Sequence, residues 1–190
     1  MPLVAVIRNP DPDLPGTTVA VKVRHPLVAE LIDRDFRIMR TVGGVVDSFS
    51  GGWLNVRASI EQFSHTMAEQ ARLDVEGYHL SLLTFNFRSS STIAFPRPIF
   101  SSQSIIIETF VGGDVIGDKF RSGEHEDMSL EAKEFIVTEG ESLYLKMLLV
   151  DNLMHADLHP GNILVNFTED HKKLTLVDAG MVASLTPEER

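Results

Sequence analysis

The stretch His155-Ala156-Asp157-Leu158-His159-Pro160-Gly161-Asn162 is the densest polar cluster of the chain. It lies between an apolar helical pattern and an apolar strand pattern, where a plain connector has no use for so many titratable groups. Sixteen residues beyond Asn162, the run Leu176-Val177-Asp178-Ala179-Gly180 ends an apolar strand in an acid followed at once by a turn. Phosphoryl transfer asks for these parts: a loop acid facing the acceptor, an asparagine five positions on that ligates a metal, and a strand-end acid that bridges the phosphates through Mg2+. Asp157, Asn162 and Asp178 have that order and spacing. A fourth part is an upstream strand lysine on the nucleotide phosphates, and Val19-Ala20-Val21-Lys22 supplies it. Four parts in order point to a site for ATP and Mg2+. Each part alone reads more simply, as a solvent-facing lysine, a turn, or a loop at a helix C-terminus. A second chemistry uses the same loop: His155, Asp157 and His159, with Asp178, have the makeup of a metal-dependent hydrolase. That scheme leaves Lys22 and Asn162 without a role.

The elements that must position these groups follow from periodicity and breakers. Leu3–Ile7 is a short apolar run, and the Asp- and Pro-rich segment Asn9 to Gly16 reads as a loop. Thr17 to Val23 reads as a strand. Pro26 opens a helix over Leu27 to Met39, and Gly43-Gly44 and Gly51-Gly52 are expected to break the chain. One long helix is expected over about 58–85, with Ile60, Phe63, Met67 and Ala71 on one face. After a loop over Arg88 to Thr92 come strands near Ala94 to Phe100 and Ser104 to Phe110, closed by Gly112-Gly113. A helix is expected from Leu130 to Met154, with Leu143, Met147, Val150 and Met154 as its buried stripe. The polar cluster then leaves that helix as a loop, because Pro160-Gly161 cannot continue it. Strands over Ile163 to Asn166 and Leu174 to Val177 flank a polar turn at Thr168 to Lys173. This order predicts an α+β fold rather than an alternating parallel sheet.

Composition narrows the function classes. The chain has 190 residues, 43% hydrophobic and 23% charged, and a formal net charge of −10. That size and balance suit one globular domain. The negative charge repels phosphate backbones, so nucleic acid is not an expected partner. With no cysteine, disulfides, thiol catalysis and thiolate metal sites are excluded. No apolar run is long enough for a transmembrane segment. Met1 to Gly16 has neither signal-peptide nor transit-peptide character.

The segments Val19-Ala20-Val21-Lys22-Val23-Arg24-His25-Pro26 and Val150 to Val165, the latter carrying His155-Ala156-Asp157-Leu158-His159-Pro160-Gly161-Asn162, resemble the UbiB family of aarF-domain-containing kinases. The Asp178-Ala179-Gly180 form is most similar to the mitochondrial aarF-domain kinase 2-like branch. The resemblance covers about Val19 to Leu185. It implies an incomplete protein-kinase-like α+β fold, with an N-lobe-like part and inserted helices over 1–113 and the start of a C-lobe over 114–190. It implies that Lys22 holds the phosphates of ATP, Glu76 pairs with Lys22, and Glu108 to Val111 lie beside the adenine. Asp157 becomes the catalytic-loop acid, and Asn162 and Asp178 the Mg2+ ligands. The partners implied are a nucleotide and a small-molecule, lipid or protein acceptor. A link to ubiquinone metabolism, peripheral membrane association and a mitochondrial location come with the family. A binding or scaffold protein that keeps the fold without turnover is the alternative.

Departures from the family pattern are equally specific. Glu69, Asp74 and Glu76 share one expected helix, so the residues alone do not single out Glu76. Gln70 and Arg72 stand where the family has a Glu-x-Asp pair, and Ala179 stands where an Asp-Phe-Gly turn has its packing phenylalanine. Met1 to Val21 contains no glycine- or alanine-rich phosphate cradle and no Lys-x-Gly-Gln motif, and the sequence stops twelve residues after Asp178. The expectation is a fragment or a truncated gene model. The remaining histidines, His25, His65, His79, His125 and His171, are scattered and read as structural or exposed.

Overall fold

The computed structural model describes residues 3–7, 18–50, 53–124, 126–168 and 171–186, apart from the side chains of 65, 66 and 68–70. The loop expected over 9–16, the Gly51-Gly52 pair, His125 and the centre of the 168–173 turn lie outside the described residues. So do the side chains of His65, Glu69 and Gln70.

Two four-stranded sheets and the helices between them carry the fold. Strand β1 (Leu3–Ile7) pairs antiparallel with β2 (Val19–Val23), β2 with β5 (Ile105–Thr109), and β5 with β4 (Pro98–Ser101), in the order β1-β2-β5-β4. Alternation with period two sends Ala20 and Lys22 to the buried face, beside Glu108 and Ile106, which lie opposite them in register. The second sheet has the order β3-β9-β8-β6, built from Ile93–Ala94, Lys172–Leu176, Ile163–Phe167 and Asp114–Val115. Strand β7 (Met154–His155) pairs with β10 (Val182–Ala183) in a small third sheet that anchors the start of the polar loop.

Helix α3 (Leu73–Asn86) lies between the two large sheets. Its buried positions Leu73, Glu76, Gly77, Leu80 and Leu83 form a single helical stripe. Leu80, Leu83, Ile106, Leu143, Met147, Leu174 and Leu176 join one core cluster that spans both sheets. Gly77 lies where α3 packs on β4: a Cβ there would sit 2.7 Å from Ser101 Cβ.

Several expected boundaries differ. Helix α1 runs over Val28–Phe49, straight through Gly43-Gly44. Gly43 is buried where α1 meets α2 (Val56–Gln70), and a Cβ there would come within 2.8 Å of Ile60 Cδ1. The glycine serves helix packing, not a break. The expected long helix divides into α2 and α3 at Ala71-Arg72, where Arg72 is extended, Arg24 Nη1 donates to Ala71 O at 3.3 Å, and Leu73 N donates to Gln103 O. Phe63 on α2 is exposed and meets Phe36 edge-on. The strand expected over 94–100 is two short strands in different sheets, since Pro96 and Pro98 lack the N–H groups a continuous ladder needs.

Helix α4 (Ile116–Ser122) was not signalled by any long apolar period. Helix α5 (Leu130–Leu145) gives way to a π-helical turn over Lys146–Asp151, closed by Asn152 at φ 48° and by Leu153 N donating to Met147 O. The wider turn shifts the register, so Leu143 and Met147 are buried while Val150 is exposed and Met154 belongs to β7.

Candidate functional site

Lys22 Nζ lies 2.5 Å from Glu76 Oε1 and donates to Val177 O at 3.1 Å. Sequence spacing left Glu69, Asp74 and Glu76 open. The α3 stripe separates two of them: Glu76 points inward among leucines, while Asp74 points out and pairs with Arg72 at 2.6 Å. Glu108 also turns inward, its Oε1 3.5 Å from Lys22 Nζ. Burial works to lower the Lys22 ammonium, but Glu76 and Glu108 outweigh it and hold Lys22 above its ordinary value. Burial raises Glu76 against the opposing field of Lys22. Glu108 is pushed up to about 7 by burial, with Lys22 opposing and Glu76 adding to the rise.

The polar loop is held by its histidines. His155, almost fully buried, accepts the Asp157 N–H at Nδ1, which leaves Nε2–H to donate to the Asp178 carbonyl. His159 Nδ1 accepts the Gly161 N–H and caps the 3-10 turn Pro160–Asn162. Asn162 Nδ2 donates to Asp157 O at 3.2 Å, and Val177 N donates to Asn162 O at 3.0 Å. Asp178 Oδ1 accepts the Gly180 N–H at 2.9 Å. The hydrolase scheme needs His155 and His159 nitrogens on a metal. Those of His155 are both spent on backbone, and no cluster of three or more His, Asp or Glu arranged to hold a metal is found among the described residues.

Two cavities flank this centre. One, of about 240 Å³, is lined by Ala20, Lys22, Glu108, Val111, Asn162 and Asp178, with Val4, Pro96, Thr109 and Val177. The other, of about 250 Å³, lies beyond Glu76 and Asp178 among Arg24, His25, Val28, Ile32, Met67 and Leu73. Lys22 and Asn162 line the first and not the second, which makes the first the candidate site. Asp157 lines neither, and its carboxylate is 60% exposed.

The donor set in the first cavity fits Mg2+. Asp178 has a second carboxylate oxygen besides the one on Gly180, and Asn162, with its Nδ2 on Asp157 O, keeps Oδ1 as a neutral oxygen ligand. A hard dication takes one or two such oxygens and completes its shell with phosphates and water.

Sequence reasoning took His79 as structural or exposed and gave it no part in the site. One turn after Glu76 on α3, its Nδ1 bonds to Ala179 O at 2.9 Å. Ala179 itself is fully buried. The hydrogen bond joins the Asp178 turn to α3. The i, i+3 spacing of Glu76 and His79 was the available signal.

Residues 13–190 match the family described as the ABC1 atypical kinase-like domain. The chain belongs to that family. It is 37% identical over 161 residues to a protein of Dictyostelium discoideum named "Probable serine/threonine-protein kinase abkC", covering 82% of this chain and 22% of that one. It is 31% identical over 156 residues to an ABC1 family protein of Saccharomyces cerevisiae named as mitochondrial, covering 80% of this chain and 24% of the other. A Yersinia pestis protein named "Probable protein kinase UbiB" is 26% identical over 175 residues, 90% of this chain and 32% of that one. The chain thus spans between about a fifth and a third of the length of these relatives. Among solved structures, the Rv3197–erythromycin complex from Mycobacterium tuberculosis superposes with a TM-score of 0.75 at 23% identity. It covers 94% of this chain and 43% of that one, and shares the fold.

Proposed function

We propose that this ABC1 domain binds Mg2+ and ATP in the cavity beside Lys22, as the nucleotide site of an atypical kinase or ATPase. The observation that carries the reading is the Lys22–Glu76 pair at 2.5 Å, opening on a cavity that Asn162 and Asp178 also line. Lys22 holds the phosphates, Glu76 aims Lys22, and the segment from Glu108 to Val111 flanks the base. Asn162 and Asp178 hold the metal, which when bound neutralises charge on the phosphates. Asp157, on the loop ahead of Asn162, faces the acceptor. In this reading 1–113 is the N-lobe-like part and 114–190 the start of the C-lobe, and the acceptor is small, lipidic or a protein. The name of the Saccharomyces cerevisiae relative supports a mitochondrial setting, while a ubiquinone link and peripheral membrane contact rest on the family resemblance alone.

A thermal-shift titration with ATP and Mg2+, followed by an ATPase assay, tests this. Asp178→Asn should abolish Mg2+-dependent nucleotide binding, whereas Asp157→Asn should keep binding and lose turnover. No Mg2+-dependent stabilisation by ATP in the wild type refutes the reading, and equal loss of affinity in both variants refutes the division of roles. A scaffold that binds without turnover is the second reading, favoured by the exposed Asp157 carboxylate lying outside both cavities. Binding with no ATPase or transfer activity would select it.

A further inference from the structure

Glu76 and Glu108 face a single ammonium. Lys22 is committed to Glu76 at 2.5 Å and to the Val177 carbonyl at 3.1 Å, and reaches Glu108 Oε1 only at 3.5 Å. Glu108 Oε2 is shut off from solvent and finds no hydrogen-bond partner among the described residues, on a side chain only 4% exposed. An ionised carboxylate held this way carries a buried charge whose second oxygen is unmet. The protonated form removes most of that cost.

We propose that Glu108 is a positioning residue that takes up a proton when a nucleoside triphosphate binds beside Lys22, so that nucleotide affinity falls as the pH rises. The inference rests on the nucleotide reading above. The charged groups facing Glu108 are Lys22 from β2, Glu76 from α3 and Asp178 from the turn after β9, while β4 places uncharged Pro98 opposite it. Among these, Lys22 alone opposes protonation. A triphosphate engages the Lys22 charge and adds its own negative charge, and both changes favour the proton on Glu108. The metal, at the Asn162 and Asp178 end of the cavity, offsets part of this. Because burial already brings Glu108 to about 7, the change falls in the neutral range.

If the complex holds a full proton there, the dissociation constant for MgATP weakens about tenfold between pH 6 and pH 8. Calorimetry of MgATP binding to the wild type and to Glu108→Gln, in two buffers of different ionisation enthalpy, reads this directly. Proton exchange by the nucleotide itself is common to both proteins and cancels in the difference. The expected result is about half a proton more taken up by the wild type at pH 7, with Glu108→Gln holding its pH 6 affinity at pH 8. Glu108→Met is the same neutral control should the glutamine variant fail to fold. Equal proton uptake in wild type and variant, or a variant weakened equally at every pH, overturns the inference while leaving the nucleotide reading standing. Absence of binding heat in all proteins at every pH overturns both.

Discussion

Lys22→Met keeps the length of the side chain and removes the cation that Glu76 and Glu108 share. Both carboxylates are buried, and deleting one partner of a buried pair costs ~3–5 kcal/mol because the other is left uncompensated. The size of the loss depends on pH, and its sign can be worked out. A carboxyl whose proton affinity is raised on folding stabilises the fold at low pH, and that contribution is lost as the pH rises through its folded value. For Glu108 in the wild type, the rise from 4.5 to about 7 amounts to a swing of ~3 kcal/mol across that interval. Without Lys22 the opposing field is gone, both carboxyls rise further, and the deficit of the variant grows toward pH 8 and shrinks toward pH 5. Lys22 itself, raised above 10.5, stays charged at both pH values and is lost only in strong alkali. Urea unfolding of wild type and variant at pH 5 and pH 8 measures this. The double variant Lys22→Met with Glu76→Gln should recover part of the pH 8 loss. A deficit below ~1 kcal/mol at pH 8, or one of equal size at both pH values, would refute the electrostatic account.

Two further substitutions probe how α3 is seated. Gly77→Ala places a Cβ 2.7 Å from Ser101 Cβ and should cost ~1–3 kcal/mol by prising α3 off β4; thermal unfolding reads the loss, and adding Ser101→Gly should restore most of it. His79→Ala removes the bond to Ala179 O and should cost ~1 kcal/mol of stability, while weakening Mg2+-dependent nucleotide binding through a looser Asp178 turn; unchanged affinity would separate His79 from the site.

The placement of the polar groups was more legible than the packing. Lys22, Asn162 and Asp178 were readable because their spacing reflects a backbone route that is local around each residue: a strand, a capped turn, a strand end. Glu76 was less so, because three acids on one expected helix look alike until the helix divides and the leucines of α3 define which face is inside. The inward turn of Glu108 follows from its register opposite Ala20 on β2, a tertiary fact that no local pattern encodes. The helix boundaries failed for a related reason. Gly43 reads as a breaker by propensity alone, yet tertiary packing uses its missing side chain to bring α1 and α2 together. The π-helical turn likewise moves Val150 outward, since a period of 3.6 carried past Leu145 points the wrong residues at the core.

The connection between β3 and β4 has a mechanical consequence. Ile93–Ala94 is hydrogen-bonded into one large sheet and Pro98–Ser101 into the other, with only Phe95-Pro96-Arg97 between them. Pro96 and Pro98 fix two of the backbone torsions along that bridge, and Phe95 is wedged against Phe87 with ring centroids 5.3 Å apart. The sheets are therefore joined by a stiff strut rather than a tether, and Pro96 forms part of the wall of the cavity beside Lys22. Phe110 to Gly113 joins the same two sheets from β5 to β6, so a change in the spacing of the sheets has to be absorbed by two short connections, only one of which is stiffened by proline.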